Sequence, residues 1–160
     1  MPGRQALLRA ETLAYMRSHR VMTLATMGAA GVWATAVFYV NDGFDLYFLT
    51  AGHTRHGHNI GARAVIAAAI QEDYRDWDSI KGIQLEGEVV LLAGDDRDTA
   101  VSLYTQKYPF ITQADVTMQA ALAKVNWYRL RPDRLYFIDN SKGLGHRDEV
   151  DLNWWQVAGG

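Results

Sequence analysis

The 160-residue sequence predicts one mainly β domain with peripheral helices, an α+β fold whose six or seven mostly antiparallel strands close, fully or in part, into a barrel. Short β-rich runs recur between turn signals along most of the chain. No alternating βαβ rhythm accompanies them, which sets aside a dinucleotide-type parallel sheet. Five Trp, eight Tyr and five Phe, with fourteen Gly against three Pro, suit bulky strands joined by tight turns.

The elements follow in order. Leu7, Leu8, Thr12, Tyr15 and Met16 lie near helical spacing, so residues 4–18 form an amphipathic helix. The period then changes. Residues 21–27 are β-rich, and Gly28-Ala-Ala-Gly31 supplies a hairpin turn. Residues 32–40, with Trp33, Thr35, Phe38 and Tyr39, read as a buried strand. Asn41-Asp42-Gly43 offers the positive-φ residues of a tight turn, and 46–49 is the returning strand. Thr54 is the N-cap of a short helix over 54–63. A strand at 65–71 and a polar loop at 72–78 come next. Residues 83–89 alternate, with Gln84, Glu86 and Glu88 on a wet face and Ile83, Leu85 and Val89 on a dry one. Asp95, Asp96 and Asp98 load the first turn of a helix whose apolar face is Ala100, Leu103, Tyr104 and Tyr108, and Pro109 ends it. Thr112-Gln-Ala-Asp115 has capping-box character for a second helix to about Lys124. Strands at 126–130 and 135–138 flank Arg131-Pro-Asp-Arg134.

Composition removes several function classes. Sixteen Lys and Arg against eighteen Asp and Glu leave a formal charge of −2, without a basic cluster, so a cationic nucleic-acid face is not expected. The absence of cysteine excludes disulfides, zinc–thiolate sites, iron–sulfur clusters and thiol nucleophiles. Early charges break any signal-peptide apolar core, and the apolar run at 64–70 is far short of the ~20 residues that span a bilayer. A cytoplasmic protein without membrane contact is the expectation.

The densest chemical segment is Thr50-Ala-Gly-His-Thr-Arg-His-Gly-His-Asn59, which follows a strand and opens a helix. Backbone N–H groups beside hydroxyl and cationic side chains make an anion site there, with Thr54, Arg55 and His56 as phosphate ligands. The alternative is a polar helix start whose hydroxyl caps it. His53, His56 and His58 could bring imidazoles to a metal, but no carboxylate follows until Glu72, and no metal is expected. In the strand at 32–40, the small Ala34 and Ala36 beside Thr35 would let a planar ligand approach the backbone, if the strand is not simply core. The loop with Asn140, Ser141, Lys142, two glycines and His146 suits ligand contact or a solvated turn. His146 is the candidate acid–base group. No G-x-S-x-G, Walker loop or H-E-x-x-H occurs.

The ordered set VMTLATMGAAGVWATAVFYV, DLYFLTAGHTRHGHNI, KGIQLEGEVVLL, a helix ending KYPF, and WYRLRPDRLYFIDNSKGLGHRDEV resembles the pyridoxamine 5′-phosphate oxidase-like flavin-binding split barrels over roughly residues 10–140, in a branch of small proteins. The resemblance implies an oxidoreductase that is a homodimer with FMN between protomers. It places the flavin ring along Thr35, Ala36, Val37 and Phe38, and its phosphate on the segment with Thr50, Thr54, Arg55, His56 and Asn59. A lysine is usual where His56 stands, so charge compensation there is weaker and pH-dependent. Gln84, before Glu86-Gly87, would face the flavin, and Asn140 and Lys142 would reach the partner's flavin from a tail, 140–160, at the dimer interface. Trp33, Tyr39 or Trp127 would stack on the ring or belong to the core. The ending Trp154-Trp155-Gln-Val-Ala-Gly-Gly160 lacks the family's substrate-phosphate arginines, which argues against oxidation of pyridoxamine 5′-phosphate itself. The alternatives are a haem-binding split barrel with His53, His58 or His146 as axial ligand, a non-enzymatic flavin- or ligand-binding dimer, and a deazaflavin-dependent reductase.

Overall fold

A computed structural model describes residues 1–153. The helix α1 (Arg4–Ser18) buries Leu8, Thr12 and Met16, one side chain per turn, and the Thr12 hydroxyl donates to the Leu8 carbonyl at 2.7 Å. The strand β1 (Val21–Gly28) turns Met22, Leu24 and Thr26 inward and pairs with β2 (Gly31–Phe38) through a hairpin closed by Gly31 at φ 100°. A three-residue β3 (Val40–Asp42) pairs with β4 (Asp45–Thr50) across Gly43, at φ 56°. After α2 (Arg55–Ala62) come β5 (Val65–Ile70), β6 (Lys81–Leu91), α3 (Gly94–Lys107), α4 (Val116–Ala123), β7 (Asn126–Asp139) and β8 (Arg147–Glu149).

The strand order is β2-β1-β5-β6-β7-β4-β3, with β8 added to β7 and every pairing antiparallel. The two ends of that order, β2 and β3, are neighbours in sequence, joined at Tyr39. The sheet therefore curls until its two edges meet at a single residue, which is the split barrel the sequence predicts. Tyr39 is fully buried there; its hydroxyl donates to the Met16 carbonyl at 2.7 Å and its N–H to the Arg20 carbonyl at 2.9 Å. The barrel interior holds Met22, Leu24, Phe48, Ile83, Leu135 and Phe137, and a second cluster of Ala100, Tyr104, Tyr108 and Trp127 lies under α3.

Three local expectations need correction. The strand at 32–40 is not buried: β2 is the end strand of the sheet, with Val32 77%, Trp33 42% and Phe38 46% exposed, and only Tyr39 and Val40 beyond it are enclosed. Residues 126–139 form one strand rather than two. Pro132 does not break it because the register shifts opposite, between Glu86 and Gly87, and a Cβ on Gly87 would lie 2.1 Å from the Arg131 carbonyl oxygen. The cap of α4 is Asp115, which accepts the Met118 N–H at 2.8 Å, whereas the Thr112 hydroxyl turns back to the Pro109 carbonyl in a 3₁₀ turn. Among the described residues no helix is long and apolar enough to cross a membrane.

Candidate functional site

Thr50 ends β4, and the chain turns through Ala51-Gly52-His53 into α2. The Thr54 hydroxyl accepts the Gly57 N–H at 3.1 Å and donates to the Ala51 carbonyl at 2.9 Å, so the predicted N-cap forms. Gly57 is needed for it, because a Cβ there would sit 2.9 Å from Thr54 Oγ1 and 3.1 Å from the Ala51 oxygen. Thr50 Oγ1 lies 3.1 Å from Thr54 Oγ1 and 2.6 Å from His56 Nε2, which ties the three side chains into one knot. Burial holds the His56 imidazole below its ordinary pKa, so it is neutral near pH 7 and serves as a hydrogen-bonding group rather than a cation.

Arg55 turns the other way. Its Nη2 donates to the Ala30 carbonyl at 3.1 Å in the β1–β2 turn, and its guanidinium lies 4.4 Å from the centroid of the Trp33 ring. Two contacts thus fix a long side chain and leave most of its five donors unused. Asn59 is buried on the inner side of α2, where Nδ2 donates to Thr26 Oγ1 at 3.1 Å. Gly28 makes room for it, since a Cβ there would meet Asn59 Oδ1 at 2.1 Å. The Asn59 amide docks α2 onto β1.

The residues predicted for the flavin ring alternate across β2. Thr35 and Val37 are half-buried, while Ala36 and Phe38 are on the open face. The register carries that face across the sheet: Ala36 pairs with Thr23, Thr23 with Ala69, Ala69 with Gln84 and Gln84 with Tyr136. The next row runs Ala34, Ala25, Ala67, Glu86 and Arg134. Ala36 and Gln84 thus share one outer face of small side chains, three strand spacings or about 14 Å apart. Gln84 stands in a recess of about 210 Å³ with Arg134, Tyr136 and Arg147. Arg147 donates to Gln84 Oε1 at 3.5 Å and its guanidinium lies 4.5 Å from the Tyr136 ring centroid.

Asn140, Lys142 and His146 belong to another surface. Asn140 is buried, donates to the Trp77 carbonyl at 2.8 Å and accepts the Gly145 N–H at 3.0 Å, which shapes its own loop. Lys142 Nζ lies 3.8 Å from both Glu11 and Asp139. His146 Nε2 is 2.8 Å from Asp148 Oδ2; Arg4 pairs with the other oxygen, and the hydrogen bond to His146 leads the groups that hold the Asp148 carboxyl below its usual range. Tyr39 and Trp127 are core residues, whereas Trp33 is at the site. Among the described residues no three His, Asp or Glu side chains form a metal-holding group. Residues 154–160, with the Trp154-Trp155 pair, lie outside the described residues.

Arg134 and Arg147 stand beside the predicted Gln84 without having been singled out in the sequence, whereas Trp33, named there as a ring-stacking or core residue, lies under the Arg55 guanidinium. Arg134 becomes visible only once 126–139 is a single strand.

A curled antiparallel sheet whose two end strands join at one residue, with a helix opening beside them, defines a split β-barrel. A pyridoxamine 5′-phosphate oxidase family model matches residues 8–139, and the chain belongs to that family. It is 29% identical over 155 residues to the UPF0306 protein of Klebsiella pneumoniae strain 342, covering 93% of this chain and 97% of that one. The heme binding protein from Mycobacterium smegmatis shares the fold at a TM-score of 0.67 and 21% identity, over 84% of this chain and 55% of that one. An FAD-binding protein from Mesorhizobium loti does so at 0.60 and 14%, over 79% and 90%.

Proposed function

We propose that this chain is an FMN-binding oxidoreductase acting as a homodimer on a small substrate. The observation that carries the reading is the capped start of α2, which holds the Thr50–Thr54–His56 knot on one side and on the other a braced Arg55 against the exposed strand β2. Arg55 would hold the flavin phosphate, with Thr50 and Thr54 offering hydroxyls and His56 a neutral imidazole. The Thr35–Phe38 backbone would lie along the ring, and Gln84 would present its amide from the same outer face as Ala36. Bound FMN would supply two-electron redox chemistry, as the chain has no cysteine to do so.

Support for a second protomer comes from the same face. Val32, Phe38, Val65 and Val90 are exposed apolar side chains around a floor of alanines, a surface that a copy of itself would cover. Asn140 and Lys142 would then approach the partner's flavin. His146, oriented through Nε2 by Asp148, is the side chain assigned to proton transfer.

The test is the absorbance spectrum of the purified protein, mass spectrometry of what it releases on denaturation, and titration with FMN. Flavin bands and a released mass of FMN are expected. A colourless protein that leaves the FMN spectrum unchanged would refute the reading. Turnover of NAD(P)H or a reduced deazaflavin with an acceptor then separates an enzyme from a flavin-binding dimer and identifies the donor.

A second reading, haem binding, is favoured by His53 and His58, both exposed, whose imidazoles make no hydrogen bond among the described residues. A Soret band on haem addition, lost in His53→Ala or His58→Ala, would replace FMN by haem.

A further inference from the structure

The loop at 71–80 joins the end of β5 to the start of β6 and carries Trp77, at 71% the most exposed tryptophan of the described residues. That exposure does not come from slackness. The Trp77 carbonyl accepts the Asn140 Nδ2–H at 2.8 Å and the Ile80 N–H at 3.4 Å. Tyr74 meets the Tyr15 hydroxyl at 2.9 Å, Glu72 meets His19 Nε2 at 2.7 Å, and Asp76 accepts the Ser79 N–H at 2.9 Å. The indole itself makes no ring contact or hydrogen bond among the described residues. A large aromatic held out to solvent by a tethered loop has the form of an interface anchor, because little freedom is left to lose on binding.

The surface that answers it stands at the other end of the same strands. β1 and β5 run antiparallel, with Thr23 opposite Ala69 and Ala25 opposite Ala67, so the β1–β2 turn and α2 lie about 20 Å from the loop, the length of β5. There a recess of about 520 Å³ has Gly28, Ala29 and Ala30 as its floor and His53, Arg55 and His58 around it. No side chain of the floor is larger than a methyl group, so a flat ring can lie against the backbone. Trp33 covers one face of the Arg55 guanidinium at 4.4 Å, and no ring covers the other among the described residues. The charges are complementary as well. Residues 72–78 hold Glu72, Asp73, Asp76 and Asp78 against Arg75, whereas residues 53–63 hold Arg55, Arg63 and three histidines without a carboxylate.

We infer that in the homodimer the partner's Trp77 seats in this recess, on the open face of Arg55. A twofold axis lying across the strands, over the alanine floor, exchanges the two ends of each β1–β5 pair. It brings the loop of one protomer to α2 of the other and makes the contact twice. Stacking uses the face of the guanidinium and leaves its edge N–H groups for a phosphate. Each protomer thus completes the surroundings of the other's Arg55. The inference rests on the homodimer reading above and specifies which surfaces meet.

The chain has no cysteine, which allows a direct test on the full protein. Asp78→Cys and Ala29→Cys place thiols on the loop and on the floor of the recess, both at exposed positions. A short bismaleimide should join the double variant into a covalent dimer on a denaturing gel. Either single variant should stay unlinked, and within one protomer the two sites are too far apart for the linker. Sedimentation of Trp77→Ala should show a dimer dissociation constant raised about tenfold or more. Its circular dichroism should match the parent's, since the indole is exposed in its own protomer. If the protein is a dimer and the double variant gives no covalent dimer, or Trp77→Ala leaves the dissociation constant unchanged, the inference is overturned and the homodimer reading stands. If the protein is monomeric at every concentration, the homodimer reading fails and takes the inference with it.

Discussion

Replacing Arg55 by alanine removes the cation that ties the start of α2 to the β1–β2 turn. In the flavin-loaded protein it removes a charge-assisted bond to phosphate, a loss of about 1.5–3 kcal/mol. That energy corresponds to a Kd raised about 10- to 150-fold. The effect on folding is smaller. The guanidinium stacks on Trp33 at an exposed site, a contact of about 0.5–1 kcal/mol, and its bond to the Ala30 carbonyl is also solvent-facing. The unfolding free energy of Arg55→Ala should therefore fall by roughly 1 kcal/mol or less. Isothermal titration with FMN reads the first quantity and urea denaturation the second. Arg55→Lys keeps the charge but loses the planar fork and the stacked geometry, so its affinity should fall between the two. An Arg55→Ala protein that binds FMN as the parent does would place the phosphate elsewhere and refute the assignment.

Gly87→Ala should lower stability by about 1–3 kcal/mol, because the new Cβ would strike the Arg131 carbonyl of the neighbouring strand; an unchanged urea midpoint would show that the bulge relaxes freely. Lys107 is half-buried near the Tyr39 and Tyr108 rings, and burial, aided by Arg20, depresses its pKa from 10.5 to about 8. The unfolded chain then binds more protons above pH 8, so this group makes stability rise with pH from about 8 until tyrosine ionisation near 10 intervenes. Thermal melts of the parent should show that rise and melts of Lys107→Met should not; identical profiles would refute it. Ala67→Glu puts a charge in the middle of the small-residue floor, and sedimentation should show the proposed dimer dissociating, while a variant that remains dimeric would move the interface elsewhere.

Much of the local structure was legible because it depends on neighbours in sequence. The alternation at Ile83–Val89, the helix at residues 4–18 and the Thr54 cap are set within a few residues, and each forms as expected. The exposure of β2 was not legible, since composition shows that Val32–Phe38 is strand-forming but not that it ends the sheet. Pro132 looked like a break because the bulge that tolerates it needs Gly87, forty-five residues earlier on the paired strand. Thr112 and Asp115 both had capping chemistry, and the 3₁₀ turn after Pro109 decided between them. At the site, the contact of Thr50, Thr54 and His56 followed from their spacing around one turn. That Ala36 and Gln84 share a face requires the register of four strands, and that Asn59 is spent on Thr26 requires the docking of α2.

The joint at Tyr39 has a mechanical consequence. Consecutive Cα atoms are fixed about 3.8 Å apart, so the two edges of the sheet cannot separate at that residue. Any widening of the seam must grow with distance from it, as the blades of shears part most at their tips. Along β2 the tip is the turn at Gly28–Gly31, where α2 rests against β1 and β2 and Arg55 reaches across to Ala30. A single arginine thus latches the end of the seam with the most freedom to move, and a ligand that recruits that arginine would act on the latch and the seam together.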